Sequence, residues 1–282
     1  MSASLVGALC FEKSDKMNYP IVDCHCHVYP DKIAEKAVES IGGFYDLPMF
    51  YDGKTSTLVE QGSAVGIKHY IIFSVATTPA QVQSINGFIA DTVSSSGGLM
   101  TGLGTLHPDS DNIEADIEQI ISLGLKGVKM HPDFQKFRID DEKCHKIYSL
   151  CQGKLPVYLH TGDSRYEFSN PDNMVPILEK YPELIVVGAH FGGWSCWKEA
   201  AEKLSKYKNF YVDCSSSFDW LSADEARELV RAYGADRVLF GTDFPMWSHK
   251  KELEAFYAMR LNSDEEKKIL FENAIRLFSI EI

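Results

Sequence analysis

The sequence predicts an α/β fold, a (β/α)₈ TIM barrel whose active site lies at the C-terminal ends of the strands. Short apolar runs rich in β-branched residues alternate with longer stretches of helical period, and eight such runs can be counted. Strands that alternate with helices need crossover connections, which indicates a parallel sheet. Eight units then favour closure into a barrel. The alternative, an open doubly wound sheet, requires a glycine-rich loop after the first strand, where this chain has His-Val-Tyr-Pro.

The predicted strands span residues 21–27, 69–75, 99–107, 127–131, 155–160, 184–190, 210–215 and 237–243. The helical stretches include 31–41, 113–123, 141–151, 175–181, 197–207 and 222–233, and 267–278 is predicted as a closing helix. The irregular stretch 42–57 is predicted as a long loop after the first strand, at the rim where such loops build active sites. We assign residues 18–282 to one barrel domain and residues 1–17 to a short N-terminal extension.

The composition excludes several classes of partner. The formal net charge is −12, from 28 Lys and Arg against 40 Asp and Glu, which repels nucleic acid and anionic membrane surfaces. No apolar run reaches the roughly 18 residues that span a bilayer. The seven cysteines lack the paired spacing of a zinc site or a disulfide framework, which indicates reduced thiols. We therefore expect a cytoplasmic protein that acts on a small molecule, with no nucleic acid and no membrane as partner.

Two histidines end the first predicted strand. Because side chains alternate along a strand, His25 and His27 are expected to share the face that lines the barrel interior. Cys24 and Cys26 are expected to face the helical layer, where they pack in the core. At the C-terminal end of a strand the interior face is the mouth of the barrel, so the two imidazoles converge where barrel active sites lie.

Polar side chains end most of the other predicted strands as well. Parallel strands of a barrel all end at one rim, so these residues are brought together although they are far apart in sequence. Three histidines and a carboxylate form a recognised site for zinc and similar ions. The polar strand-end residues are His107, Lys129, His131, His160, His190, Asp213 and Asp243.

Five ordered motifs at these strand ends resemble those of the amidohydrolase superfamily. They read VDCHCH at 22–27, GVKMHP at 127–132, YLHTG at 158–162, GAHFGG at 188–193 and FGTDFP at 240–245. The resemblance is strongest to the second large family of that superfamily, which includes aminocarboxymuconate semialdehyde decarboxylase. It extends over residues 20–278.

The resemblance implies a role for each matched position. His25 and His27 from the first strand and His160 from the fifth hold a divalent ion. Asp243 on the eighth strand is both a ligand and a proton acceptor. His190 orients or deprotonates the attacking water or polarises the substrate, although it could instead bind a second ion. One ion is expected, Zn²⁺ in the first place, with Mn, Fe or Co as alternatives, and a homodimer is compatible with the family.

Lys129 leaves several roles open. Superfamily members with two ions often bridge them with a carboxylated lysine at this position, but an ammonium group that binds a substrate carboxylate, or a structural ion pair, is the more ordinary role. His131 either contacts substrate or caps the loop before Pro132. Arg165 and Tyr166 follow the fifth strand and are candidates for binding an anionic substrate.

Further residues at the rim receive weaker predictions. Trp194 and Trp247 are candidates for a pocket wall, Trp197 is expected to pack in the core, and His249 is expected at the surface or on a helix, outside the site.

The sequence therefore predicts a metal-dependent hydrolase that directs activated water at a C–N or C–O bond of a small, carboxylated substrate. Non-oxidative decarboxylation of a small aromatic or unsaturated acid is the alternative, because the same ligand set serves both reactions. A non-catalytic binding protein is the third possibility, but a degenerate member would be expected to have lost ligands, and none is missing.

Overall fold

The computed structural model describes residues 19–281, so the predicted extension 1–17 lies outside the described residues. All strand pairs are parallel, in the orders β1-β2-β3 and β4-β5-β6-β7-β8-β9. The strands are β1 Ile21–His27, β2 Ile67–Phe73, β3 Met100–Gly102, β4 Gly104–Thr105, β5 Val128–Met130, β6 Val157–Leu159, β7 Val186–Gly188, β8 Phe210–Asp213 and β9 Val238–Leu239.

The two groups of strands close into one barrel. The predicted third strand is split at Leu103 into β3 and β4, and Leu103 N still donates to Ile72 O at 3.0 Å. Glycine is needed on both sides of the split, since a Cβ at Gly102 or Gly104 would lie 2.7 Å from Ile89 or 2.5 Å from Ile120. A parallel bridge between Cys26 and Phe244 joins the last strand to the first. The predicted eight-stranded (β/α)₈ barrel is thus confirmed.

Helices cover the outside of the strands. Helix α1 continues to Tyr45, so residues 42–45 of the predicted long loop are helical, and the helix ends where Asp46 adopts a left-handed conformation. The closing segment 268–278 begins as a π-helix at Lys268–Glu272. Among residues 19–281 no helix has both the length and the apolar content to cross a bilayer. The α-helices are α1 Asp31–Tyr45, α2 Thr55–Ser63, α3 Val82–Ser95, α4 Ile113–Ser122, α5 Pro132–Gln135, α6 Glu142–Cys151, α7 Pro171–Lys180, α8 Trp197–Leu204, α9 Ala223–Tyr233, α10 His249–Ala258, α11 Ser263–Lys267 and α12 Asn273–Phe278.

The apolar core has two parts. A large cluster joins strands to helices, and a smaller one joins inward side chains of the strands to the C-terminal helix, which includes Phe278. Cys26 belongs to the large cluster, as predicted, but Cys24 packs in the small one with Phe73 and Tyr158. The prediction that Cys24 faces the helical layer is wrong, because the pairing of β1 with β2 shifts between Asp23 and Cys26 and breaks the simple alternation.

Candidate active site

The ends of the strands surround one cleft, part of it open to solvent. Most of the predicted site residues meet there. The lining residues are His25, His27, Ile41, Tyr45, Met49, Lys129, His131, Phe134, His160, His190, Asp243, Pro245 and Met246.

His25, His27 and Asp243 lie at the centre of this cleft and are called the central cluster. His25 Nε2 lies 3.2 Å from His27 Nε2 and 3.2 Å from Asp243 Oδ1, and His27 Nε2 lies 3.6 Å from the same oxygen. One ligand atom from each residue lies within 4.8 Å of the others, and all three side chains are buried. Two imidazole nitrogens and a carboxylate oxygen at this spacing fit a divalent ion of the zinc or manganese type.

Asp213 fixes the orientation of His25. Its Oδ2 lies 3.1 Å from His25 Nδ1 and accepts a hydrogen bond from Tyr158 Oη at 2.5 Å, while its Oδ1 accepts from Ser215 Oγ at 2.5 Å. Burial opposes ionisation of this carboxylate, but His25 and the hydrogen bonds lower its pKa well below the usual range. Because the carboxylate of Asp213 accepts the hydrogen bond from Nδ1–H of His25, the other ring nitrogen, Nε2, is unprotonated. Its lone pair faces His27 and Asp243.

His190 is held in a similar way by the next strand end. Its Nδ1 lies 3.1 Å from the carbonyl oxygen of Ser215, which can only accept, so the lone pair of Nε2 faces the cleft. Nε2 lies 4.0 Å from Asp243 Oδ2, and burial lowers the pKa of the ring to about 4. His190 and Asp243 have left-handed backbones, with φ of 59° and 55°, a conformation that is uncommon outside glycine and concentrates at functional sites.

His160 lies beside the central cluster but is not within 4.8 Å of all its ligand atoms. Its Nδ1 is 3.1 Å from His190 Nε2, and its ring is stacked on His131 with centroids 4.0 Å apart. Burial, followed by the positive charge of its neighbours, lowers the pKa of the ring well below the ordinary value. The imidazole is therefore neutral, which is the form that binds a metal.

Lys129 is fully buried at the inner end of the cleft. Its Nζ lies 3.2 Å from His25 Nε2 and 4.8 and 4.5 Å from the ring centroids of Phe73 and Tyr158. Burial lowers its pKa to about 8, although Asp213 and Asp243 favour the charged form. The structure thus places Lys129 against the central cluster.

His131 caps the helix that follows it, which is one of the two roles that the sequence left open, and it also lines the cleft. Its Nδ1 accepts from Phe134 N at 3.3 Å and so caps α5, while its Nε2 lies 2.8 Å from Tyr45 Oη and the ring lines the cleft. Tyr45 was not predicted as a site residue. Its only signal was its place in the segment after the first strand.

Arg165 and Tyr166 do not line the cleft. The Arg165 guanidinium is paired with Asp163 at 2.7 Å and donates to the carbonyl oxygen of Phe44 at 2.9 Å, and it lies among aromatic rings. Tyr166 is 40% exposed and stacks on Phe44. The structure therefore keeps both residues apart from the central cluster, and Asp163 already neutralises the charge expected to bind an anion.

Two other expectations need correction or refinement. His249 begins helix α10, which agrees with the helical alternative, but it is fully buried and not a surface residue, with its Nε2 3.6 Å from Asp23 Oδ2. Asp23 in turn accepts from Thr242 Oγ1 at 2.6 Å, which ties the first strand to the segment that carries Asp243. Trp194, Trp197 and Trp247 each contact Trp220, with centroids 5.7, 6.2 and 5.7 Å apart, and none lines the cleft. Trp197 packs against the large core cluster, as predicted.

Comparison with known proteins gives partial sequence matches and extensive structural ones. A curated relative, the gamma-resorcylate decarboxylase of a Polaromonas species, is 28% identical over 123 residues, which cover 37% of this chain and 37% of the relative. The chain thus spans little more than a third of the length of the curated relative it matches.

Three solved structures share the fold. An uncharacterized TIM-barrel protein from Bordetella bronchiseptica has a TM-score of 0.77 and 20% identity, covering 92% of this chain and 98% of that one. A dihydroxybenzoic acid decarboxylase from Polaromonas, with bound manganese and 2-nitroresorcinol, has a TM-score of 0.70 and 18% identity, covering 93% and 97%. A putative 2-pyrone-4,6-dicarboxylic acid hydrolase from Pseudomonas putida has a TM-score of 0.67 and 20% identity, covering 94% and 100%.

The family model described as amidohydrolase matches residues 22–280, which include all of the strand residues except Ile21 and every residue of the central cluster. The chain therefore belongs to the amidohydrolase family, in the branch that the strand-end motifs resemble.

Proposed function

We propose that this chain is a metal-dependent decarboxylase, a carboxy-lyase that acts on a small aromatic or unsaturated acid. The observation that carries the proposal is the mixed lining of the cleft. The lining combines the polar central cluster, Lys129, His160 and His190 with a set of apolar side chains, called here the apolar wall. The apolar wall consists of Ile41, Met49, Phe134, Pro245 and Met246.

A cleft lined by both kinds of side chain suits a flat acid, with its charged edge at the central cluster and its carbon skeleton against the apolar wall. His25, His27 and Asp243, joined by His160, would hold one divalent ion. When bound, the ion supplies positive charge that binds the substrate carboxylate and a neighbouring oxygen. Zinc and manganese both suit these donors, and manganese is present in the Polaromonas structure.

The chain itself supplies the proton. Loss of CO₂ breaks a carbon–carbon bond and leaves its electron pair on the ring or unsaturated carbon, which must then accept one proton. His190 Nε2 and Asp243 Oδ2 lie 4.0 Å apart and both residues line the cleft, so either group is placed to carry that proton and deliver it to the carbon.

Lys129 and Tyr45 complete substrate binding. Lys129 Nζ donates at the inner end of the cleft, where a carboxylate oxygen would replace its contact with His25. Tyr45 Oη and His131 Nε2 lie together on the outer side and can bind a ring hydroxyl or the second carboxylate oxygen.

Hydrolysis, the reaction that the sequence alone favours, is the second candidate. His190 or Asp243 would then take a proton from a water molecule, and the oxygen of that water would attack a lactone or amide carbon. The Pseudomonas putida neighbour supports this candidate, while the curated relative supports decarboxylation.

An assay with two arms separates the candidates. Protein loaded with Mn²⁺ or Zn²⁺ is incubated with carboxyl-labelled dihydroxybenzoates and, separately, with 2-pyrone-4,6-dicarboxylate. We expect labelled CO₂ and the decarboxylated phenol from the first arm. Ring opening of the pyrone without labelled CO₂ from any acid would replace decarboxylation with hydrolysis. No turnover in either arm, from protein that holds its metal, would contradict both.

A further inference from the structure

A buried carboxylate behind His160 has no partner of its own. Asp133 is 3% exposed, and neither of its oxygens has a hydrogen-bond partner of good geometry. His160 Nε2, on the side of the ring away from His190, is also buried and unpartnered. It lies 3.9 Å from Asp133 Oδ2. Two buried polar groups left unsatisfied face to face are costly unless they bind each other.

The other charged groups nearby are already engaged. Asp163 is within reach of the same pair, but its carboxylate is bound bidentately by Arg165, with Nε to Oδ1 at 3.0 Å and Nη2 to Oδ2 at 2.7 Å. The Ser169 hydroxyl accepts from Asp163 N at 3.2 Å. Burial raises the pKa of Asp133 to about 7, and Ser169 opposes this rise only in part. Neither neighbour therefore satisfies His160 Nε2.

The turn that carries Asp133 is fixed in place. It lies in α5, and Gln135 of the same turn accepts from His131 N at 2.8 Å and donates to the carbonyl oxygens of Ala76 and Leu106 at 2.8 and 2.7 Å. The carboxylate is thus held on the outer side of the His160 ring.

We propose that Asp133 is the positioning residue for His160: its carboxylate accepts the Nε2–H proton and so directs the Nδ1 lone pair into the cleft. The 3.9 Å separation exceeds a hydrogen bond by about 1 Å, so the ring or the carboxylate shifts by that amount when the contact closes. The inference rests on the proposed role of His160 as a ligand. A histidine that binds a metal through one nitrogen normally donates from the other, and the acceptor sets its orientation and its affinity for the ion.

The arrangement matches that of His25, whose Nδ1 faces Asp213 while its Nε2 faces the cluster. Each of the two histidines would then have its own buried carboxylate, on opposite sides of the cleft. The sequence places Asp133 two residues after His131, in a loop motif, so strand-end reasoning did not single it out.

The test compares three variants of the full chain. Asp133→Leu removes the acceptor, Asp133→Asn keeps an acceptor oxygen without the charge, and Asp116→Leu is the matched control. Asp116 is a carboxylate that is 4% exposed on α4 and does not line the cleft. The dissociation constant for Zn²⁺ is measured by chelator competition. The His160 Nε2–H signal is followed in the ¹⁵N-labelled zinc form, with assignment by its loss in His160→Gln.

We expect Asp133→Leu to weaken zinc binding by about 10- to 100-fold and to abolish the slowly exchanging Nε2–H signal. Asp133→Asn should weaken binding less and keep the signal, and Asp116→Leu should change neither. Wild-type affinity and an unchanged signal in Asp133→Leu would overturn the proposal. If Asp133→Leu does not fold, Asp133→Asn decides. A lower zinc affinity with a displaced Nε2–H signal supports the proposal, and either wild-type affinity or an unmoved signal overturns it.

The same data separate this inference from the proposed function. If the wild-type protein binds zinc and shows the signal but releases no CO₂, the role of Asp133 is supported and the proposed decarboxylase activity is contradicted. If His160→Gln binds zinc as tightly as the wild type, His160 is not a ligand and the role of Asp133 falls with it, whatever the enzyme does.

Discussion

The polar and the apolar lining of the cleft are built differently. The central cluster lies on strand ends, where the buried Asp213 and Ser215 contact His25 and Ser215 also contacts the neighbouring His190. The apolar wall comes from the end of α1, the loop that follows it, α5 and the turn after Asp243. A barrel fixes the position of strand ends through its hydrogen-bonded register, whereas loops are free to vary. Chemistry is therefore expected to depend on the cluster and substrate choice on the wall.

The largest effect is expected when a carboxylate is removed from the central cluster, which tests whether the reaction depends on it. Asp243→Asn keeps the size of the side chain but loses a charged ligand and a proton carrier, so we expect turnover to fall by about 10²- to 10⁴-fold. The measurement is kcat for CO₂ release together with metal content by elemental analysis. Turnover within tenfold of the wild type would show that the cluster is not where the reaction occurs.

Changing the support behind the cluster tests whether bracing matters. Asp213→Asn leaves all proposed ligands in place but weakens the hold on His25 Nδ1, and we expect metal affinity to fall by about 10- to 100-fold. Chelator competition with Mn²⁺ or Zn²⁺ measures it. Unaltered affinity would mean that the backbone alone orients His25.

A change on the outer side should affect substrate binding more than chemistry. Tyr45→Phe removes one hydroxyl, and losing a hydrogen bond of about 1 kcal/mol raises KM by about fivefold with kcat little changed. Steady-state kinetics on the substrate identified above decide it. A fall in kcat as large as that of Asp243→Asn would show that Tyr45 takes part in the chemical step. The central cluster and the outer residues would then not differ in role.

The fourth change affects the stability of the fold, not turnover or binding, and it lies beside the contact of the first strand with the last. Burial lowers the pKa of His249 to about 4 from 6.5, so the unfolded chain binds the proton more readily between these values. Stability is then lost as pH falls from 6.5 towards 4, by roughly 1 to 3 kcal/mol. His249→Gln should flatten this part of the pH dependence, as measured by denaturant unfolding at several pH values. An equally steep fall in the variant would assign the loss to other groups.

The same contrast explains what the sequence could predict. His25, His27, His160, His190 and Asp243 were found because strand periodicity places them at one rim, and the structure puts all five around one cleft. The periodicity also predicted the barrel, the order of its strands and most of its helices.

The rest depends on contacts that no local pattern encodes. Cys24 points inward because the register with β2 shifts within the strand, and His249 is buried because α10 packs against the segment around Asp23. Tyr45 reaches His131 only because α1 runs one turn further than its apolar spacing indicates. Arg165 does not line the cleft, and Asp163, two residues away, binds its guanidinium.

The seam of the barrel has a consequence for how the protein is made. His25 and His27 come from the first strand, and Asp243 follows the last. These two parts of the chain are joined by contacts such as the bridge of Cys26 with Phe244. An ion held by these residues would cross-link the two edges of the sheet, and at a hundred times its dissociation constant it would add about 2.7 kcal/mol to stability. A ribosome must therefore deliver nearly the whole barrel before the ion can be captured, so metal loading would report that the chain has closed.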